Sequence, residues 1–251
     1  MRPAVTAASV PAADHDGEQE TGRYGRRKVR PGLTPAAIAT AGRRLIEREG
    51  LEALTMRAVA TELNTAPASL YRHVADRDAL LLAILEQIAE GLPVEVSGRT
   101  PRTRLRRRWL AAHTYMADHV WVLHILIRGE MVAETAFRFT DACLADFLAA
   151  GLSPAKAMRA FYGCWHLTIG ELLDGHPLKP PREPSQRQRA VARVDPEQLP
   201  ALARVTAALP PREHRRDDFP GVLDTLLSGF LAEARTPTVT SRGAGPSRGR
   251  S

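Results

Sequence analysis

Lysine is almost absent from this chain of 251 residues: of its 35 basic side chains, only Lys28, Lys156 and Lys179 are lysines. Cysteine is scarcer still, with Cys143 and Cys164 alone. Two thiols exclude a disulfide framework or a zinc knuckle and fit a reducing, cytoplasmic setting. Aromatic residues are only 5%, so the core is expected to be Leu, Ala, Val and Ile. The longest apolar run, over residues 120–127, is broken by His124. It falls far short of the roughly 20 residues that a spanning helix needs, so no membrane is expected as a partner. The first residues hold no apolar h-region, so a secretory signal is not expected either. Glu-x-x-His pairs, His-Glu-x-x-His and a phosphate-binding Gly-Lys-Ser/Thr loop are all missing. Gly245-Pro246-Ser247-Arg248-Gly249 fits the nucleophile-elbow pattern, but it sits in a tail with no strand before it. No catalytic residue, metal or cofactor is expected, and the chain does not read as an enzyme.

What is present is ordinary in bulk and uneven in charge. The length allows one or two domains, and 44% hydrophobic with 25% charged residues is normal for a globular chain. The net charge of +7 and the isoelectric point of about 10.1 invite a polyanionic partner. An Arg- and Ala-heavy composition also arises from a GC-rich genome, so where the charge sits matters more than its total.

Residues 1–30 read as a disordered arm. Asp14, Asp16, Glu18 and Glu20 come first, and the arm turns basic from residue 23, with Arg23, Arg26, Arg27, Lys28 and Arg30. Residues 176–196 read as a flexible loop, and 235–251 as a disordered tail. The rest reads as helix, because no period-two alternation lasts long enough to make a sheet. Thr34-Pro35 is an N-cap with proline at N1, and Gly50 ends that helix. A short helix follows over 55–63. Pro67 opens a third, with Leu70, Tyr71 and Val74 as its inner face, and Asp76 caps a fourth that runs to Gly91. Longer helices are placed near 102–118, 120–128, 130–150, 154–175, 196–209 and 217–234. The expectation is an all-α protein of about ten helices: a helix-turn-helix domain over 31–76 and a second helical domain over 77–234.

The second and third helices are joined by Asn64-Thr65-Ala66, which is helix-turn-helix spacing. The first turn residue must usually adopt positive φ, which Asn tolerates. The outward side chains of the third helix are then Ala68, Ser69, Arg72 and His73. Small residues let the backbone approach a groove, and Ser, Arg and His donate to phosphates and base edges. Arg57 lies near that face, and the basic arm, with Arg27 and Lys28, can follow the backbone or enter the minor groove. A plain three-helix bundle with a solvated face would share this spacing.

The run Leu54-Thr55-Met56-Arg57, then Leu70-Tyr71-Arg72-His73-Val74 and Asp76-Arg77-Asp78-Ala79-Leu80-Leu81, is more specific. Over residues 33–85 it resembles the DNA-binding domain of the TetR family of bacterial transcriptional regulators. The resemblance implies that Thr55 and Arg57 contact double-stranded DNA and that Pro67, Ala68, Ser69, Tyr71 and His73 face the major groove. It also implies that Arg77 grips a phosphate. Asn64 stands where many relatives have Gly.

Residues 102–234 resemble the C-terminal domain of tetracycline repressors, most clearly over 160–171. In drug-binding relatives a histidine at the end of the fourth helix contacts tetracycline. Residues 90–94 contain none, so the resemblance implies a shared architecture with a different, small apolar or amphipathic effector. The apolar faces nominate His113, Met116, Trp121, His124, Phe137, Trp165, His166 and Ile169 for its pocket. The family's paired helices would form a homodimer here through Phe161, Trp165, Leu172, Leu223, Leu226, Leu227, Phe230 and Leu231. Two reading heads about 34–36 Å apart would then require a palindromic operator. The implied mechanism is repression released by ligand. An activator, or a helical protein-binding module that keeps the helix-turn-helix as scaffold, is the competing reading.

Overall fold

The computed structural model describes residues 33–128, 131–175, 186–208, 218–232 and 234. Among them the chain is all helical, with no strand. Eleven α-helices follow one another: α1 (Pro35–Glu49), α2 (Met56–Glu62), α3 (Pro67–Leu70), α4 (Arg77–Glu90), α5 (Pro101–Ala117), α6 (Val120–Leu126), α7 (Phe137–Ala149), α8 (Pro154–Gly175), α9 (Gln186–Val191), α10 (Pro200–Ala208) and α11 (Phe219–Ala232). Single 3-10 turns at Leu51–Ala53 and Glu134–Ala136 precede α2 and α7. The expected arm and tail, with Arg27 and Lys28, lie outside the described residues.

The helix starts follow from side-chain caps. Thr34 Oγ1 accepts the amide of Ala37 at 3.1 Å, Thr55 Oγ1 that of Ala58 at 3.1 Å, and Asp76 Oδ1 that of Ala79 at 2.7 Å. Asn64 takes φ of 49°, the left-handed conformation expected of the turn between α2 and α3.

Four sequence expectations are corrected. The third helix stops at Leu70 and continues only as a turn, so Tyr71 lies 54% exposed rather than on an inner face; Leu70 and Val74 alone point inward. The helix expected from 130 begins at Phe137. The chain before it is extended at Ala133, and the Glu86 carboxylate captures the amides of Glu134 and Thr135 at 2.7 and 3.0 Å. Residues 186–191 of the expected loop are helical, as α9. The helix expected from 196 begins at Pro200, which is suited to the first helical position.

Two apolar clusters organise the chain. The first joins α1, α2, α3 and α4 and extends to Met116, to Trp121 and its neighbours on α6, and to Leu172. The second packs α5, α7, α8 and α11 around Trp109, Phe139, Phe147 and Leu223. Gly42 lets α1 and α4 approach closely, since a Cβ there would come within 2.9 Å of Ile84 Cδ1. At the corner between α5 and α6, Arg43 of α1 donates to His119 Nε2 at 3.4 Å. Burial, helped by that guanidinium, pushes the His119 ring below its ordinary pKa. Both cysteines are buried, and burial pushes the Cys164 thiol up to about 12, so neither is set up as a nucleophile.

The one deeply buried ion cluster among the described residues is centred on Asp146. Arg104 Nε and an Arg108 terminal nitrogen each donate to its carboxylate at 2.6 Å. Arg108 and Asp146 are almost fully enclosed. Removing the carboxylate would strand the Arg108 charge, so Asp146→Ala is expected to cost about 3–5 kcal/mol. Urea unfolding of the variant beside the unaltered chain checks this; a midpoint shift within error would contradict it.

Candidate functional site

Two features could carry function: the exposed surface of α2 and α3, and a cavity beside α4. On the first, Arg57 stands exposed in the opening turn of α2, whose N-terminus Thr55 caps. Pro67 and Ala68 are exposed, Ser69 is half-buried, and Tyr71, Arg72 and His73 are exposed in and after α3. Leu70, fully buried, and Val74 pin this segment to the core. The surface therefore offers a guanidinium pair, an imidazole, a phenol and a hydroxyl on a rigid base, with small side chains between them. That set can donate to phosphates and base edges. Arg77 stands apart. Its Nε donates to the carbonyl of Leu54 at 2.8 Å and a terminal nitrogen to that of Leu51 at 3.4 Å, so it ties the 51–54 turn to α4. Only its remaining N–H groups are left for a phosphate.

The cavity encloses about 260 Å³ at the seam of the two clusters. Part of its lining comes from α4, through Leu85, Ile88 and Ala89, and from Leu92 just beyond the helix end. Its aromatic lining comes from Phe137 and Phe139 of α7 and from Phe161, Tyr162 and Trp165 of α8. Met116, Val122, Leu126 and the segment 131–133 complete it, with Thr140 as a polar group.

Of the eight side chains nominated from sequence, Met116, Phe137 and Trp165 line this cavity. The other five lie elsewhere. His113 stacks on Phe219 at 4.0 Å between ring centroids, and its Nε2 meets the Glu171 carboxylate. Trp121 is buried in the first cluster, and Ile169 packs against that cluster. His124 is half-buried on α6. His166 is exposed and stacks on the outer side of Tyr162 at 5.9 Å. An imidazole is better served by a carboxylate or by water than by an apolar hollow, which accounts for the absence of all three histidines. The α4 wall was missed. Its signal was there, because Leu85, Ile88, Ala89 and Leu92 follow helical spacing on one face.

The side chains nominated for pairing divide in the same way. Phe161, Leu172, Leu223 and Leu227 are buried within the chain's own clusters, so they cannot also form a surface. Trp165, Leu226, Phe230 and Leu231 are half-buried. The open faces carry instead Met158, Tyr162 and His166 on α8 and Val222 on α11.

Helix α4 is held in its C-terminal half. Gln87 Nε2 donates to the carbonyl of Ala36 at 3.0 Å, Glu86 holds the segment before α7, and the Tyr115 hydroxyl donates to the carbonyl of Ile88 at 2.8 Å. Among the described residues no cluster of three or more His, Cys, Asp or Glu could hold a metal, and no helix is long and apolar enough to cross a membrane.

A short-turn helix pair with a polar outer surface, built on the same core as a helix that walls a cavity, defines a DNA-binding transcriptional regulator rather than an enzyme. The chain belongs to the TetR family: the family description "Bacterial regulatory proteins, tetR family" matches residues 38–84, and "Tetracyclin repressor-like, C-terminal domain" matches residues 97–234. It is 26% identical over 198 residues to the HTH-type transcriptional repressor DrrR1 of Streptomyces coeruleorubidus, covering 75% of this chain and 70% of that one. It is 27% identical over 147 residues to an HTH-type transcriptional regulator of Saccharopolyspora erythraea, covering 58% and 62%. Among solved structures, the Streptomyces coelicolor TetR family protein ActR in complex with actinorhodin superposes with a TM-score of 0.69 at 21% identity, covering 80% and 97%.

Burial alone would raise the Glu86 carboxyl, but the Thr135 hydroxyl and the amides of Thr135 and Glu134 outweigh it and hold the group below its ordinary value. Its contribution is therefore complete above the unfolded carboxyl pKa of about 4.3 and fades as the pH falls further. Glu86→Gln is expected to be less stable than the unaltered chain at pH 7, and the gap to narrow toward pH 3. Urea midpoints across that range test it; a gap that is constant with pH would contradict the assignment.

Proposed function

We propose that the chain is a cytoplasmic repressor that binds a palindromic operator as a homodimer and leaves it when a small uncharged effector enters the cavity. The observation that carries this reading is the double duty of α4. Leu80, Leu81 and Ile84 pack in the core under the reading helices, while Leu85, Ile88, Ala89 and Leu92 face the cavity. A guest there presses on the helix that carries the DNA face. Coupling of this kind is typically worth about 1–3 kcal/mol. The name of DrrR1 as a repressor, and the structure of ActR with actinorhodin, support the same direction.

On this reading Arg57, Ser69, Tyr71, Arg72 and His73 read or grip DNA, with Thr55, Pro67 and Ala68 fitting the backbone into the groove. Arg77 contributes what its carbonyl bonds leave free, and Arg27 and Lys28 belong to the arm. The homodimer forms on the open faces of α8 and α11, through Met158, His166, Val222, Leu226 and Phe230, which replaces the buried set expected from sequence. No cofactor or metal takes part.

Selection of genomic fragments by the purified chain, followed by sequencing, is expected to return an inverted repeat; random fragments at moderate salt would overturn the operator reading. On the recovered site, Arg57→Ala and Tyr71→Ala are each expected to weaken binding about ten- to hundredfold while leaving the oligomeric state unchanged by sedimentation. Affinity should also fall steeply with salt, and the slope should be shallower for Arg57→Ala if that guanidinium neutralises a phosphate. Unchanged affinity in both variants would remove the assigned DNA face.

A further inference from the structure

The effector reading leaves open what the cavity accepts, and its lining narrows the answer. A quarter of the residues in this chain are charged, yet among the described residues no Asp, Glu, Lys, Arg or His lines the cavity. A carboxylate, an ammonium or a charged chelate entering it would lose its water with nothing to replace it. Shape follows from the aromatic residues. The chain has three Trp, four Tyr and six Phe, and five of these rings, Phe137, Phe139, Phe161, Tyr162 and Trp165, line the cavity. The side chains that α4 contributes to it are aliphatic. Rings and aliphatic side chains lining one cavity suit a flat ring, which stacks on the former and packs on the latter. Met116 and Met131 can adjust around its edge. Two hydroxyls give direction. Thr140 Oγ1 reaches the carbonyl of Ala136 only at 3.4 Å, a weak bond that a better partner could displace, and Tyr162 brings a phenol to the same lining.

We propose that the cavity binds an uncharged, planar aromatic molecule that carries a hydroxyl or carbonyl group. This rests on the reading of the cavity as the effector site. Selectivity against ions comes from the missing charges, selectivity against flexible chains from the rings, and orientation from Thr140 and Tyr162.

Isothermal titration calorimetry of the full chain at neutral pH tests this with three probes: 1-naphthol, 1-naphthoate and decanol. Expected is saturable binding of 1-naphthol, about tenfold or more tighter than either of the others. Tyr162→Phe, at an exposed position, should weaken 1-naphthol about fivefold if its hydroxyl bonds the guest. Ala89→Phe and Ala136→Phe each place a ring in the cavity, one from α4 and one from the turn before α7, and should each abolish binding; circular dichroism identifies a variant that fails to fold, and the other then serves. Equal or tighter binding of 1-naphthoate or decanol would overturn the proposed class. So would 1-naphthol affinity unchanged in a folded filled variant. Binding of 1-naphthol without any loss of operator affinity would instead sink the release mechanism and leave the ligand class standing.

Discussion

Helix α4 must satisfy two neighbourhoods at once, and the rest of the structure depends on how it does so. Its six buried side chains, Leu80, Leu81, Ile84, Leu85, Ile88 and Ala89, all belong to the cluster that holds the helix-turn-helix. Three of them, with Leu92 beyond the helix end, also form a cavity wall. A helix buried on so broad a face cannot slide without moving what it touches, because packed interiors have little slack. The cavity adjoins this face at Leu85, Ile88 and Ala89.

Arginine accounts for how the remainder is braced, and it changes the meaning of the positive charge. In α5, Arg104 and Arg107 donate to the carbonyls of Gly98 and Ser97, and Arg108 to that of Val94. These bonds fasten the segment that follows α4 to the second cluster. Arg106 pairs with Asp224 of α11, and Arg104 and Arg108 share Asp146. A forked, permanently charged group can bond a carbonyl and a carboxylate together, which lysine cannot do with the same geometry. Among the described residues, these arginines are therefore spent on bonds within the molecule, while Arg57 and Arg72 stand exposed on the surface of α2 and α3.

The DNA-reading half was legible because its signals are local. A cap, a proline at N1 and an Asn at positive φ each act within a few residues, so Thr34, Thr55, Asn64 and Asp76 announced their roles in the sequence. Tyr71 is instructive: periodicity next to Leu70 suggested an inner residue, but α3 ends at Leu70 and the ring turns outward. The ligand half was less legible because its questions are not local. Helical spacing shows which face is apolar, but not whether that face meets its own chain, a second copy or a void. Leu172, Leu223 and Leu227 met their own chain, Phe137 and Trp165 met the void, and Phe161 and Met116 met both. The histidines were attractive as polar handles for the same reason that they avoid the cavity: an imidazole gains more from Glu171 or from solvent than from a hollow with no partner in it.

A cavity without charge also restricts how a guest can act. The guest has no charged side chain to neutralise among the described residues that line the cavity. Its leverage is volume and contact along Leu85, Ile88, Ala89 and Leu92, opposed by bonds that already hold this stretch: Glu86 on the amides of Glu134 and Thr135, and Tyr115 on the carbonyl of Ile88. A guest shifts the equilibrium only by the difference between its affinities for the two arrangements. The bound arrangement must therefore either keep these three bonds and move α4 together with the start of α7, or break them and replace what they contribute with ring contacts. The first route is less costly, because the segment 131–136 that Glu86 grips belongs largely to the cavity rim and would follow the guest. On the proposed release mechanism, coupling would run through α4 and that rim as one unit, joined to the 51–54 turn by the bonds of Arg77 to Leu51 and Leu54.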